Sequence, residues 1–244
     1  RRQRQMCIRD RSWHMQRWRP DVMGERLTNL AQNYSWYGES ASEEFQASLA
    51  RSMSVQARCL ALDWRRMRTS DDRINGLRGL AVAETALGAS RGDLLSLLDL
   101  AIPVVRTLIN EDGGHVSRMP DRHIKLMRQL VEFRMATSLA SVDGSALSDT
   151  IKRMGAVARM WRHGDGRLTH FNGGGGVPAA HVEETLLRFG VRGKPLQQAP
   201  YTGFLRIGSG RTIVIMDAGE PAVMKDGRGV TGLLSLIHIS EPTR

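Results

Sequence analysis

Apolar residues recur at helical spacing through the first two thirds of the chain. Ser40 and Glu43 form a capping box, and after it one apolar face follows spacings of four and seven, through Phe45, Leu49, Met53, Leu60 and Trp64. The same periodicity predicts further helices over about residues 71–87, 92–109, 120–135, 145–161 and 179–189. Pro103 falls inside one of these patterns and is expected to kink or split that helix.

The periodicity changes near Pro195. Residues 201–219 contain two β-rich runs around Gly-Ser-Gly, which predict an antiparallel hairpin. The order of elements is therefore α first, then β. We expect a layered helical array or toroid over residues 12–194, followed by the start of an antiparallel β domain over residues 195–234.

The two ends of the sequence differ from the rest. Residues 1–11 and 235–244 resemble translated sequencing-adapter read-through, so we interpret residues 12–234 as an internal fragment of a longer protein. Outside these ends Cys59 is the one cysteine, which excludes a disulfide framework or a CxxC metal site. The histidines lack the HxxxH or HExxH spacing of a zinc site.

The net charge is +10, with 31 arginines and four lysines, and this excess favours an anionic partner. The chain lacks a helix-turn-helix, zinc-finger or RNP signature, so nucleic acid is not predicted. Its apolar runs are also shorter than a membrane span. An acidic polysaccharide fits these features at least as well as nucleic acid does.

Two polar, glycine-rich stretches interrupt the helical pattern, "EDGGHVSRMPDRH" at 111–123 and "WRHGDGRLTHFNGGGG" at 161–176. Histidines suit proton transfer near neutral pH, and arginine forks suit carboxylate or sulfate. We predict one site assembled from both loops. Its catalytic candidates are His115, His163 and His123, and its substrate-binding candidates are Arg118, Arg122, Arg162, Asp165, Asn172 and Tyr201.

Each candidate also has a structural interpretation. The histidines can hydrogen-bond to backbone, the arginines can be solvated, Tyr201 can pack at a sheet edge, and the Asn-Gly and Asp-Gly pairs are turn signals. Asp112 is expected to brace a turn with Gly113. The glycine run 173–176 lacks the Lys-Ser/Thr of a phosphate-binding loop.

Three motifs, "LINEDGGHVSRMP", "RMGAVARMWRHGDGRLTHFNG" and "APYTGFLRIGSGRTIVIMDAG", resemble the bacterial heparinase II/III family of polysaccharide lyases. The resemblance implies an (α/α) toroid followed by a β-sandwich, and β-elimination on uronic-acid polysaccharides such as heparin, heparan sulfate or alginate. It further implies a periplasmic or envelope location and no cofactor, apart from a structural divalent metal in the part of the β domain beyond this chain.

The family pattern is matched in part. Asp112, Gly113, His115, Pro120 and His123 match it, whereas the family tyrosine falls on Arg122, Ser117 replaces an acidic residue, and an Asn-His pair falls on Asp71 and Asp72. Either proton transfer is moved to His115, His123 or His163, or this branch has different or no lyase chemistry. Two alternatives remain open: a glycoside hydrolase using Asp112 and Asp165, and a non-catalytic envelope protein that binds acidic glycans.

Overall fold

A computed structural model describes residues 16–188, 190, 192–210, 212–220 and the backbone of 238–240. The predicted read-through segment 1–11 lies outside these residues. So does 235–244, apart from 238–240, which forms a short strand.

The described chain is mostly helical, with one small antiparallel sheet. The helices are α1 Pro20–Gln32, α2 Tyr34–Tyr37, α3 Glu43–Asp63, a 3-10 turn Trp64–Arg66, α4 Ser70–Ala86, α5 Arg91–Arg106, α6 Pro120–Leu139, α7 Ser145–Met160 and α8 Ala179–Arg188. The strands are β1 Gln198–Ala199, β2 Phe204–Ser209, β3 Thr212–Asp217 and β4 His238–Ser240.

Side-chain caps determine where two of the helices begin. Ser42, and not the expected Ser40, caps α3 by accepting a hydrogen bond from the Phe45 amide at 3.4 Å. Thr69 caps α4 by accepting from the Asp72 amide at 3.1 Å, and its hydroxyl donates to the Asp72 carboxylate at 2.7 Å. Asp71 and Asp72 therefore occupy the first turn of a helix, where negative charge is stabilising.

Pro103 does not split its helix, because α5 continues from Arg91 to Arg106 with the proline inside it. The missing amide of Pro103 would have bonded to the carbonyl of Asp99. Pro103 is exposed, so water can hydrate that carbonyl and lower the cost of the lost bond.

The chain divides into two compact units, Arg1–Val104 with Glu132–Gly144, and Val105–Val131 with Ser145–Arg244. In the first unit α1 packs closely against α4. A Cβ added at Gly79 would lie 2.7 Å from the carbonyl oxygen of Gly24, so this approach requires glycine. Leu27 of α1 and Leu77 and Leu80 of α4 are at most 2% exposed.

A buried arginine forms the polar centre of the first unit. The Arg78 side chain is 1% exposed and donates to Glu132 at 2.6 Å and to Asn75 at 2.5 Å. It also pairs with Glu25 at 2.9 Å. The Glu132 side chain has no exposed surface, so this ion pair ties α4 to the second half of α6 inside the unit.

Replacing Arg78 with Met should destabilise the protein by about 3–5 kcal/mol, because it removes the ion pair from a fully buried carboxylate. Urea unfolding measures this loss. The control is Arg66→Met, whose pair with Asp63 is exposed and should contribute about 0–1 kcal/mol. Adding Glu132→Leu to Arg78→Met should recover part of the stability. Equal losses in the two single variants would contradict this account.

The sheet lies in the second unit and has the strand order β1-β2-β3-β4, with each neighbour antiparallel. Phe204 pairs with Asp217 and Arg206 with Ile215. Phe204 and Ile215 are 1% and 0% exposed, whereas Ile207, which alternation places on the opposite face, is 59% exposed. The predicted hairpin is confirmed, and one of its faces packs into the core.

The expected (α/α) toroid followed by a β-sandwich is wrong. The described residues form helices in two units and one small antiparallel sheet. Helical periodicity identifies the buried face of each helix, but it does not show which other helix packs against that face. A hairpin is likewise compatible with many folds, and a sandwich needs a second packed sheet, which the described strands do not supply. The boundaries at residues 12, 195 and 235 stay predictions.

Candidate functional site

The two polar loops share one backbone geometry. Each forms an isolated antiparallel bridge, Ile109 with His115 in the first loop and Arg162 with Leu168 in the second. Each bridge follows a helix, α5 and α7 respectively. Both loops belong to the second unit.

The hydrogen bonds within the two loops correspond one to one. Asn110 N donates to Gly114 O at 2.8 Å, and His163 N donates to Arg167 O at 2.9 Å. An aspartate oxygen then accepts from the amide two residues on, in Asp112 at 3.0 Å and in Asp165 at 2.9 Å. The glycine after each aspartate has a positive φ, 94° at Gly113 and 83° at Gly166. The similar sequences of the loops thus reflect the same turn.

The aspartates of the two turns have different surroundings. Asp112 accepts from the amide of Thr202 at 2.7 Å and from its hydroxyl at 2.5 Å. Thr202 is 1% exposed and lies just before β2. Asp165, in contrast, is exposed. Its carboxylate lies 3.7 Å from Nε of Arg167, a residue of the same turn. The first loop therefore anchors the chain that leads into the sheet.

Arg118 is the centre of a second polar cluster. Its side chain donates to the carbonyl oxygens of Thr202, at 2.9 Å, and of Glu220, and it forms an ion pair with Asp217. Asn172 donates to the Arg118 carbonyl at 3.0 Å and to Asp217 at 2.9 Å. Burial lowers the pKa of Arg118 below its ordinary value. Arg118 and Asn172 thus bring the two loops together, but their polar groups are directed at the protein itself.

His123 is a packed core residue. It has no exposed surface, and its Nε2 donates to the Met154 carbonyl at 2.9 Å. Its ring meets Trp161 edge-on at 5.0 Å, and Trp161 meets Phe204 at 5.1 Å. Burial chiefly lowers the pKa of His123 to about 3, so the ring is neutral at physiological pH.

The other two predicted catalytic histidines and the predicted binding residue Tyr201 differ in exposure. His115 is fully buried, and its Nδ1 accepts from the Ser117 amide at 3.0 Å and contacts the Ser117 hydroxyl at 2.7 Å. His163 is half-buried, and its backbone closes the second turn. Tyr201 is 63% exposed, and a hydrogen bond to Glu111 chiefly raises its pKa.

The remaining predicted binding residues are Arg162, Arg122 and Asp165. Arg162 pairs with Glu183 at 2.8 Å, and its carbonyl accepts from Arg206 at 2.7 Å. Arg122 is half-buried at the start of α6, and Asp165 is exposed. A site role for these residues stays a prediction.

Sequence reasoning missed three residues that organise this region: Thr202, Arg206 and Asp217. Arg206 donates to the carbonyl of Met160 at 2.7 Å as well as to that of Arg162, and burial lowers its pKa. Arg206 and Asp217 could have been found from the sequence, because each is a charged residue on a predicted strand. Both lie on the face of the hairpin that packs into the core, where a charged side chain needs a hydrogen-bonding partner.

Within the described residues, no group of three or more His, Cys, Asp or Glu side chains could hold a metal ion. None of the helices in this part of the chain is long and apolar enough to cross a membrane. The described residues therefore form a mostly helical protein. The polar residues of its two loops hydrogen-bond chiefly to other parts of the same chain.

The motifs suggested a polysaccharide lyase, but the sequence is similar to a protein of a different kind. The chain is 26% identical over 214 residues to "FtsZ-localized protein C" of Caulobacter vibrioides (strain NA1000 / CB15N), an alignment that covers 86% of this chain. The chain spans 37% of the length of that relative. No family model matches the sequence. No solved structure matches it either.

The resemblance to the heparinase II/III lyases is wrong, and so is the polysaccharide-lyase function drawn from it. The similarity that extends through the chain is to a protein named for its localisation with FtsZ, not to a lyase. The glycoside hydrolase and glycan-binding alternatives have no support either. The motifs failed because Asp-Gly and Asn-Gly turns recur in unrelated proteins, where they satisfy local backbone geometry.

Replacing Asp112 with Ala should destabilise the protein by about 1–3 kcal/mol, because it leaves the buried Thr202 amide and hydroxyl without their acceptor. Asp165→Ala, at the corresponding position of the second turn, is the matched control and should change stability by about 0.5 kcal/mol or less. Urea unfolding of both variants measures the difference. Equal effects would refute an anchoring role for Asp112.

The low pKa of His123 predicts a pH-dependent stability. Below its ordinary pKa of 6.5, the unfolded chain takes up a proton that the folded chain takes up only near pH 3. The free energy of unfolding should therefore fall as the pH drops from 6.5 towards 3, by about 1.4 kcal/mol per pH unit from this residue.

His123→Phe tests this prediction, because it retains an aromatic ring beside Trp161 and removes the titrating group. Urea unfolding between pH 6.5 and pH 4.5 should show a weaker pH dependence in the variant than in the wild type. The same pH dependence in both proteins would show that His123 is not kept neutral by folding.

Proposed function

We propose that this chain belongs to a non-enzymatic protein that localises with FtsZ and acts in cell division. The observation that carries the proposal is the similarity to FtsZ-localized protein C, which extends over 214 residues and 86% of the chain. A similarity of this extent runs through most of the chain. It is therefore better support than motifs confined to turns.

The geometry of the polar residues favours binding over catalysis. A general acid or base must come within hydrogen-bonding reach of its substrate, but His115 and His123 have no exposed surface. The Arg118 guanidinium, suited to an anionic substrate, is engaged by Asp217 and by two backbone carbonyls. These arrangements support a protein that presents a surface to a partner.

The proposal also changes the expected partner and location. FtsZ, or a protein that accompanies it, replaces the acidic polysaccharide as the expected partner. The proposed site of action is wherever FtsZ assembles. The periplasmic or envelope location rested on the lyase resemblance alone and stays an untested prediction.

A fluorescent fusion of the protein, imaged with labelled FtsZ in C. vibrioides cells, tests the proposal. The fusion should coincide with FtsZ and should redistribute when FtsZ is depleted, whereas the fluorescent protein alone should stay diffuse. A fusion that is diffuse, or whose pattern is unchanged by FtsZ depletion, would refute the proposed localisation.

A further inference from the structure

The solvent face of α3 alternates arginine with exposed apolar residues. Arg51, Val55, Arg58 and Leu62 follow one another at spacings of four, three and four, so they form one stripe along the helix. We call these four residues the α3 stripe. Val55 is 52% exposed and Leu62 is 79% exposed. The opposite face of α3 is buried through Leu49, Met53, Ala57 and Leu60.

The stripe is positively charged along its whole length. The acidic residues of α3 are Glu43, Glu44 and Asp63, which lie at the two ends of the helix. Arg51 and Arg58 have no ion pair within the described residues. Glu84 on α4 faces Arg58, but burial and the neighbouring Asp93 raise the pKa of the Glu84 carboxyl despite the charge of Arg58. Beyond the stripe, Arg65 stacks on Trp64 at 4.7 Å and extends the positive surface.

The spacing of the stripe matches the seam of a two-stranded coiled coil. Alternating steps of four and three place residues on the line along which a second helix packs. Here arginine occupies one seam position of each heptad and an apolar residue occupies the other. From Arg51 to Leu62 the seam is about 17 Å long, which gives a partner helix about three turns of contact.

We propose that the α3 stripe docks an acidic amphipathic helix of a partner protein. Carboxylates of that helix lie opposite Arg51 and Arg58, and its apolar side chains pack against Val55 and Leu62. Charge complementarity selects the partner, and the two exposed apolar residues supply the buried contact. The inference goes beyond the proposed function and does not depend on it, because it rests on α3 alone.

Two other occupants fit the stripe less well. A second copy of the chain would bring arginine against arginine if the two helices packed in parallel. In antiparallel packing each arginine would lie opposite an apolar side chain, without a carboxylate to pair with. A membrane surface binds helices that keep a continuous apolar face for the lipid, but the continuous apolar face of α3 is already used in the core.

The test measures binding of the purified 244-residue chain to a synthetic peptide of about three heptads with Glu and Leu at its seam positions. The peptide should bind saturably. Arg51→Glu combined with Arg58→Glu should weaken binding about tenfold or more. A second peptide with Lys in place of Glu should show the reverse preference and bind the double variant better than the wild type.

Matched controls separate the stripe from net charge and from folding. Lys152→Glu combined with Arg188→Glu makes the same change in net charge on α7 and α8 and should leave binding unchanged. Leu62→Ala should weaken binding without affecting the fold, since Leu62 is exposed. Circular dichroism and thermal unfolding verify that every variant stays folded.

Three results would overturn the proposal. The first is no binding of the acidic peptide, or binding that the stripe variants do not change. The second is binding of phosphatidylglycerol–phosphatidylcholine vesicles, but not of the peptide, through Arg51 and Arg58. The third is a dimer of the chain, seen by analytical ultracentrifugation, that Leu62→Ala dissociates.

Discussion

The Asp112 carboxylate is the contact on which the organisation of the second unit depends. It closes its own turn through the Gly114 amide and holds Thr202 through both the amide and the hydroxyl. The next residues along the chain lead into β2, where Phe204 enters the aromatic core beside Trp161 and Phe171. Buried polar groups need partners, so a loop that supplies them also fixes the start of the sheet.

The repeated turn explains why this sequence suggests an active site. A turn of this shape needs an aspartate to accept a local amide and a glycine at positive φ, and both loops satisfy these needs in the same way. Histidine and arginine beside such a turn then resemble a catalytic cluster. In the structure the first loop buries His115 and Arg118, whereas Asp165 of the second is exposed. Similar motifs therefore serve different structural needs.

Local structure was largely predictable from the sequence, and tertiary structure was not. The expected helix over residues 71–87 is Ser70–Ala86, and the predicted hairpin is β2 with β3. The cap of α3 was predicted at Ser40 but is Ser42, because two nearby serines offer the same signal. Pro103 was expected to kink or split its helix, but α5 continues through this exposed proline. Partners such as Asp112 with Thr202 are far apart in sequence, and periodicity carries no information about them. The same limit made the toroid and sandwich wrong.

The Asp112 carboxylate of the first loop thus holds the segment that leads into the sheet. Native-state hydrogen exchange at the Thr202 amide tests it most directly, because this amide donates to the Asp112 carboxylate at 2.7 Å. The account predicts that the Thr202 amide exchanges as slowly as the paired amides of β2 and β3, and that Asp112→Ala removes this protection. Exchange at the rate of an unprotected amide in the wild type would contradict it.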